Sequence, residues 1–321
     1  MTAGHLLDPV TAAGDAPSAA GPSVPRRVPT PDAVLALLKP HTWFPPMWAF
    51  SCGVVSSGVS LEGRWPMLLL GIGLTGPLVC ASSQAVNDWF DRHVDAINEP
   101  QRPIPSGRMP GRWGLGLAIA WSALSLAVAT LLGPWGFVAT TVAVALSWAY
   151  SAPPLRLKRN GWLGCLAVGL SYETLAWVTG AAVALGGARP SAAVLLVALL
   201  YGLGAHGILV LNDFKAVEGD RRMGIRSLPA RHGEDAAAWI AVVTMYLAQA
   251  AVLALHAGWG TRAYMWWVAA LILAQFPLAA SLLVRPGPKA ALYVSAFNVP
   301  FYVITMMITA FAIRNLGLAT P

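Results

Sequence analysis

Asn87-Asp88-Trp89-Phe90-Asp91-Arg92-His93-Val94-Asp95, continued by Asn98-Glu99-Pro100-Gln101-Arg102-Pro103-Ile104-Pro105-Ser106-Gly107-Arg108, is the stretch on which the reading of this chain turns. It follows a long apolar run, and four of the chain's 14 acidic residues (Asp88, Asp91, Asp95, Glu99) fall within it. Asp88, Asp91 and Asp95 are spaced i, i+3, i+7, so they project from one face of a helix. Carboxylates aligned in this way repel one another unless a cation stands between them. Mg2+, a hard ion that prefers oxygen and bridges carboxylates to phosphates, fits that place. Arg92, Arg102 and Arg108 lie near enough in sequence to hold phosphate oxygens. The plainer alternative is a solvated polar loop behind a membrane helix.

A second cluster answers the first. Asn212-Asp213-Phe214-Lys215-Ala216-Val217-Glu218-Gly219-Asp220-Arg221-Arg222 closes another apolar run and leads into Gly224-Ile225-Arg226-Ser227-Leu228-Pro229. Both clusters begin Asn-Asp at the end of an apolar helix, turn basic, and reach a proline, which reads as a faint internal repeat. Asp213, Glu218 and Asp220 are candidate metal ligands here, with Asn212, Lys215 and Arg221 as candidate substrate contacts.

The rest of the chain is apolar. Of 321 residues, 56% are hydrophobic and only 11% charged, against about 25% charged in a soluble domain; mean hydropathy is +0.60. Continuous apolar runs near 20 residues indicate an all-α polytopic membrane protein and exclude an alternating β-barrel. The net charge of +7 needs no nucleic acid, because basic loops set membrane topology. Cys52, Cys80 and Cys165 sit in apolar stretches at no metal-ligand spacing and read as small core residues.

Residues 1–31, rich in Ala, Pro, Gly and Ser, are expected to form a disordered cytoplasmic tail, with no signal or transit peptide. Residues 32–316 then form one transmembrane domain. Residues 32–41 suit a short amphipathic helix at the membrane surface. Nine membrane helices follow, at 43–60, 66–88, 112–132, 135–152, 162–186, 191–213, 236–257, 264–284 and 291–313, separated by Gly- and Pro-rich breaks. The break at Gly133-Pro134 is the tightest. With the N-terminus in the cytoplasm, 17 of the 21 Lys and Arg fall on that side and only Arg64, Arg189, Arg262 and Arg314 on the other. That asymmetry supports the orientation and places both acidic clusters on the cytoplasmic face.

Two carboxylate clusters at one membrane face frame a pocket with a polar mouth for Mg2+ and phosphate and an apolar body. An isoprenoid diphosphate has that shape and charge. Mg2+ and Arg would neutralise the leaving diphosphate as C1 of the allylic chain becomes cation-like, and apolar walls would exclude water. A third basic element, Tyr150-Ser151-Ala152-Pro153-Pro154-Leu155-Arg156-Leu157-Lys158-Arg159, lies on the same face. It is either a topological anchor or, through Arg156 and Lys158, part of the diphosphate site.

These residues resemble the UbiA superfamily of intramembrane prenyltransferases, and more closely its chlorophyll and bacteriochlorophyll synthase branch. The resemblance covers roughly residues 36–316. It is carried by Lys39-Pro40, Thr42-Trp43-Phe44-Pro45-Pro46-Met47-Trp48, both acidic motifs, Tyr150-Ser151-Ala152-Pro153-Pro154, and Lys158 with Asn160-Gly161-Trp162. Tyr172-Glu173 and Ala205-His206-Gly207 favour the bacteriochlorophyll side of the branch. The resemblance implies a nine-helix UbiA-type bundle in a bacterial inner membrane. It implies Mg2+-dependent esterification of a bacteriochlorophyllide propionate with geranylgeranyl or phytyl diphosphate, and assembly with other pigment-biosynthesis membrane proteins. The family's first motif maps onto Asn87, Asp88, Asp91 and Asp95, with the three aspartates catalytic. The second departs from the usual pair of aspartates four apart, since Ala216 stands four residues before Asp220; Asp213 and Glu218 supply carboxylates at other spacings.

The chemistry agrees with what the sequence omits. A propionate is already ionised at neutral pH and attacks without a strong general base, and no Ser-His-Asp or Cys-His arrangement is evident. Glu173, twelve residues after Gly161 or about 18 Å along a helix, falls near mid-membrane, where an ionisable group suggests function. It either contacts the acceptor or bonds to a neighbouring helix. His206 shares a face with Asp213 and either ligates the central Mg2+ of a chlorin or bonds to a backbone carbonyl. Trp43, Phe44, Trp48 and Trp177 suit either stacking on a tetrapyrrole or anchoring at the interface. The competing readings are a prenyltransferase acting on a quinone precursor or haem, a non-catalytic pigment scaffold, a transporter, and a lipid phosphotransferase, whose Asp-Gly-x-x-Ala-Arg signature is absent.

Overall fold

The computed structural model describes residues 28–317, so most of the expected tail, residues 1–27, lies outside the described residues. Helix α1 (Pro31–Leu38) opens on a proline, carries Asp32 in its first turn and buries Ala33, Leu37 and Leu38. It ends where Lys39 turns left-handed (φ 48°) ahead of Pro40, a residue that favours stopping a helix. Then come α2 (Phe44–Ser56), α3 (Trp65–Asn98), α4 (Trp113–Leu132), α5 (Pro134–Ser151), α6 (Gly161–Ala184) and α7 (Ala192–Met223), followed by the short α8 (Leu228–His232), α9 (Glu234–Gly258), α10 (Arg262–Val284) and α11 (Pro288–Asn315).

Every one of the nine expected spans is a helix, but the count of nine crossings narrows. Among the described residues seven helices (α3, α4, α6, α7, α9, α10, α11) are long and apolar enough to cross a membrane. Helix α2 has 13 residues, about 20 Å, which is short of a full bilayer core. Helix α5 has 18 residues and interrupts its apolar run with Thr, Ser and Trp. The tight break between α4 and α5 is present: Gly133 adopts φ +82°, and a Cβ there would stand 2.5 Å from the Cα of Gly187. Helix α3 overruns its expected end at residue 88 and reaches Asn98, so Asp88, Asp91 and Asp95 are all helical and Glu99 follows as the C-cap.

Close helix contact sets the core. Helix α2 crosses α6 through facing glycines: a Cβ on Gly53 would lie 2.0 Å from the Trp177 carbonyl oxygen, and one on Gly180 would lie 2.0 Å from that of Phe50. Small residues at a crossing let backbones approach where lipid supplies no hydrophobic drive. Trp177, fully buried, stacks on Tyr201 at 5.7 Å and donates its indole N–H to Ser56 Oγ. It belongs to the core.

Two helices carry a π-turn, Leu74–Cys80 in α3 and Leu170–Leu175 in α6. Pro77 lies in the first, and its carbonyl accepts from Trp121 Nε1 at 3.1 Å. A proline supplies no N–H to the ladder, and the wider turn re-aims side chains. The two turns face each other: Tyr172 Oη receives hydrogen bonds from Gln84 Nε2 (3.0 Å) and Cys80 Sγ (3.2 Å).

The β-structure of the described residues is a single isolated bridge, Asn160 with Arg226. Gly161 N donates to the Arg226 carbonyl at 2.9 Å, and Arg226 N to that of Arg159 at 3.2 Å. A Cβ on Gly161 would lie 2.6 Å from Leu228 N, so only glycine lets these strands of loop meet. The bridge ties the loop after α5 to the loop after α7, at the end of the bundle that carries both acidic motifs.

Candidate active site

The acidic face of α3 is built as its spacing requires. Asp88 and Asp95 are buried and Asp91 is partly buried. Lys39 Nζ donates to Asp88 Oδ1 at 2.6 Å, Arg102 reaches Asp95 at 2.9 Å and Asp88 at 3.3 Å, and Lys158 Nζ donates to Asp91 at 2.5 Å. Asn87 Nδ2 donates to Asp91 Oδ2 at 2.9 Å and reaches Ser151 Oγ at 3.4 Å. Arg102 also grips Glu99 through two bonds, at 2.5 and 2.8 Å. Burial alone would lower the Arg102 guanidinium; the Glu99 bond and the charges of Asp88 and Asp95 outweigh it and hold the group above its ordinary value. The same bond holds the Glu99 carboxyl below the ordinary range. Burial pulls the Lys158 ammonium down, against the charge of Asp91.

The second motif lies beside the first. Asn98 Nδ2 stands 3.8 Å from Met223 Sδ, and a Cβ on Gly219 would meet that same amide at 3.6 Å. Asp213 accepts a 3.6 Å contact from Cys165 Sγ, and buried Asp220 accepts from Ser227 Oγ at 2.5 Å. Tyr150 lies within electrostatic reach of Asp213, Asp91 and Asp220, and Lys158 sits 5.9 Å over its ring. The two acidic motifs and the Tyr150–Lys158 segment therefore converge on one end of the bundle.

Below that end opens a cavity of about 790 Å³. Helices α2, α3, α5, α6, α7 and α11 line it, through residues such as Phe44, Val79, Ala143, Ala176, Leu209 and Val303. Asn87 and Asn212, the first residues of the two motifs, are both on its wall, as are Tyr150 and Glu173. An apolar chamber thus begins where the carboxylates end. Glu173 is buried, and its Oε2 has no hydrogen-bond partner.

Other expected residues are placed elsewhere. Arg92 donates to the Trp89 carbonyl at 2.7 Å and lies 4.2 Å over its ring, folded onto its own helix. Arg108 turns to the Gln101 carbonyl and, at 3.5 Å, to Asp32 of α1. Glu218 forms a surface pair with Arg222, and Lys215 and Arg221 are exposed. Arg156 adopts a left-handed conformation (φ 41°) with its Nε buried and unpartnered. His206 stacks on Trp162 at 5.4 Å and lines a separate recess with Leu163 and Thr244, outside the large cavity. Phe44 and Trp48 line the cavity, 5.8 Å apart, while Trp43 donates to the Leu38 carbonyl.

Sequence reasoning left out Lys39, Gln84 and Tyr172 as site residues. Lys39 is 49 positions from its aspartate, and no spacing rule links them. The signal available was the Lys39-Pro40 pair ending an amphipathic helix.

The donor set fits a hard divalent cation. Asp88 Oδ2 is buried with no hydrogen-bond partner, and its neighbours Asp91, Asp95 and Asn87 offer only oxygen and amide groups. Among the described residues no three acidic, His or Cys side chains are gathered as a metal cluster; the first-motif aspartates are each held by a cationic side chain instead.

Comparison with known proteins follows the same line. The UbiA prenyltransferase family matches residues 40–313. The chain is 54% identical over 292 residues to the bacteriochlorophyll synthase 33 kDa chain of Cereibacter sphaeroides, covering 91% of this chain and 96% of that one. It is 37% identical over 295 residues to the chloroplastic chlorophyll synthase of Arabidopsis thaliana, covering 88% and 74%. The fold is similar to that of a UbiA homolog from Archaeoglobus fulgidus solved bound to DMAPP and Mg2+, with a TM-score of 0.67, 21% identity, and coverage of 88% of this chain and 99% of that one. With a match across nearly all of its described helices, the chain belongs to the UbiA prenyltransferase family.

Proposed function

We propose that this protein transfers a geranylgeranyl or phytyl group from its diphosphate to the propionate of a bacteriochlorophyllide, releasing diphosphate. One observation carries the reading: an apolar cavity of about 790 Å³ has on its wall the leading asparagine of each acidic motif. The ligand that such a chamber fits has a long apolar chain and an anionic head. The 54% identity to a bacteriochlorophyll synthase chain supports the tetrapyrrole as acceptor.

Asp88, Asp91 and Asp95, with Asn87 and with Asp213 and Asp220 opposite, would hold Mg2+. When bound, the ion neutralises diphosphate charge and eases its departure. Lys39, Arg102 and Lys158 are cations that this chain brings to the same end, and a diphosphate would draw them from their present carboxylate partners; Arg156, whose Nε has no partner, would add a further donor. The propionate oxygen attacks C1 of the chain; the C1–O bond to diphosphate breaks, and diphosphate leaves with the electron pair. No proton has to be removed from the carboxylate. The cavity walls keep water from C1. The asymmetry of Lys and Arg supports a cytoplasmic acidic end in a bacterial inner membrane.

The test is to incubate detergent-purified protein with bacteriochlorophyllide, geranylgeranyl diphosphate and Mg2+, with an EDTA control, and to separate pigments by chromatography. Metal-dependent ester is the expected result. Tight pigment binding without ester would instead support a scaffold. No ester and no pigment binding would point to a quinone precursor or haem as acceptor.

A further inference from the structure

We infer that Glu173 sets acceptor specificity by donating a hydrogen bond to a carbonyl oxygen on the acceptor's ring edge remote from the esterified carboxylate. The inference rests on the proposed transfer to a tetrapyrrole propionate.

Glu173 is 8% exposed and lies on the cavity wall, with Oε2 unpartnered. Among the residues lining that cavity it is the one acidic side chain, and none is Lys, Arg or His. A polar group left this way in an apolar surround costs free energy until something bonds to it. Its placement follows from the π-turn in α6, which carries Tyr172 and Glu173 together. Tyr172 is fixed by Gln84 and Cys80 of α3, three and seven residues before Asn87, or about 5–10 Å deeper along the axis. Glu173, next to Tyr172 in the chain, is therefore held below the polar mouth at a depth within the span of a tetrapyrrole ring. An acceptor whose carboxylate is at the mouth presents a substituent of another pyrrole ring at that depth. As a carboxylic acid, Glu173 has an O–H to give and suits a carbonyl such as an acetyl group. A vinyl group at the same place leaves the acid unpaired. A site built to hydrogen-bond a substrate rejects the analogue lacking that group much better than an apolar pocket discriminates.

The experiment compares two acceptors alike except for acetyl or vinyl at that ring position, as matched chlorophyllides, with wild type, Glu173→Gln and Glu173→Leu. The readout is the ratio of kcat/KM for acetyl over vinyl. The expected result is a wild-type preference of at least tenfold for acetyl, kept by Glu173→Gln, whose amide still donates, and lost in Glu173→Leu because turnover of the acetyl acceptor falls more than that of the vinyl one. An equal fall for both acceptors in Glu173→Leu, or an unchanged ratio, overturns the inference while leaving the transferase reading standing. Wild-type protein that esterifies neither pigment overturns both.

Discussion

Replacing Arg102 by Met tests how the acidic end is held together. Arg102 is 23% exposed and bridges three carboxylates. Asp95, 8% exposed, has Arg102 as its cation at 2.9 Å, whereas Asp88 keeps Lys39 at 2.6 Å. The main loss is therefore the Asp95 pair. Breaking a buried pair costs about 3–5 kcal/mol, and the partial exposure of Arg102 puts this case at the lower end. Glu99, 46% exposed, adds under about 1 kcal/mol. The expected loss is about 3 kcal/mol in reversible unfolding in mixed detergent and SDS micelles. Arg102→Lys keeps the charge but not the fork, and should recover about half. Freeing carboxylates should also make Mg2+ stabilise Arg102→Met more than wild type, by about 1 kcal/mol at saturating metal. A variant within about 1 kcal/mol of wild type, or an identical response to Mg2+, would refute the reasoning.

Asp88→Asn and Asp91→Asn should abolish turnover while leaving a folded protein, read by prenyl transfer alongside thermal unfolding; full activity after chelation would count against the metal role. Lys39→Met should raise the KM for the prenyl diphosphate several-fold with little change in KM for the pigment, since its ammonium stands at Asp88. Gly53→Leu places a side chain into the Trp177 carbonyl and should cost at least about 1–3 kcal/mol by forcing α2 from α6, measured as loss of folded protein in detergent. The Glu99 carboxyl, held low by Arg102, contributes stability above its unfolded pKa that is lost as pH falls through its lower folded value. Glu99→Gln should therefore lower stability at neutral pH by under about 1 kcal/mol, the pair being partly exposed, leave it nearly unchanged at acid pH below both pKa values, and so flatten the acid limb of the stability profile.

The family and most of the helices were legible because they rest on local rules. Apolar length marks spans, Gly and Pro mark breaks, and an i, i+3, i+7 series lands on one face whatever surrounds it. The same rules placed Asn87, Asp88, Asp91 and Asp95 together and brought Lys158 to their end of the bundle. They did not separate Arg92 and Arg108 from Arg102. All three are long flexible cations near one motif, and their partners are set by a tryptophan ring, a loop carbonyl and a carboxylate trio that no spacing encodes.

Sequence by itself determined that this is a helical membrane chain with two acidic motifs, because hydropathy and periodicity act within a few turns. Tertiary structure alone decided that Lys39 caps Asp88 and that His206 lies outside the cavity while Glu173 lies in it. It also decided that the short α2 and α5 take part in building the chamber. Those outcomes depend on glycine crossings, π-turns and a loop-to-loop bridge that join residues tens of positions apart, where the free energy of packing, not local propensity, selects the partner.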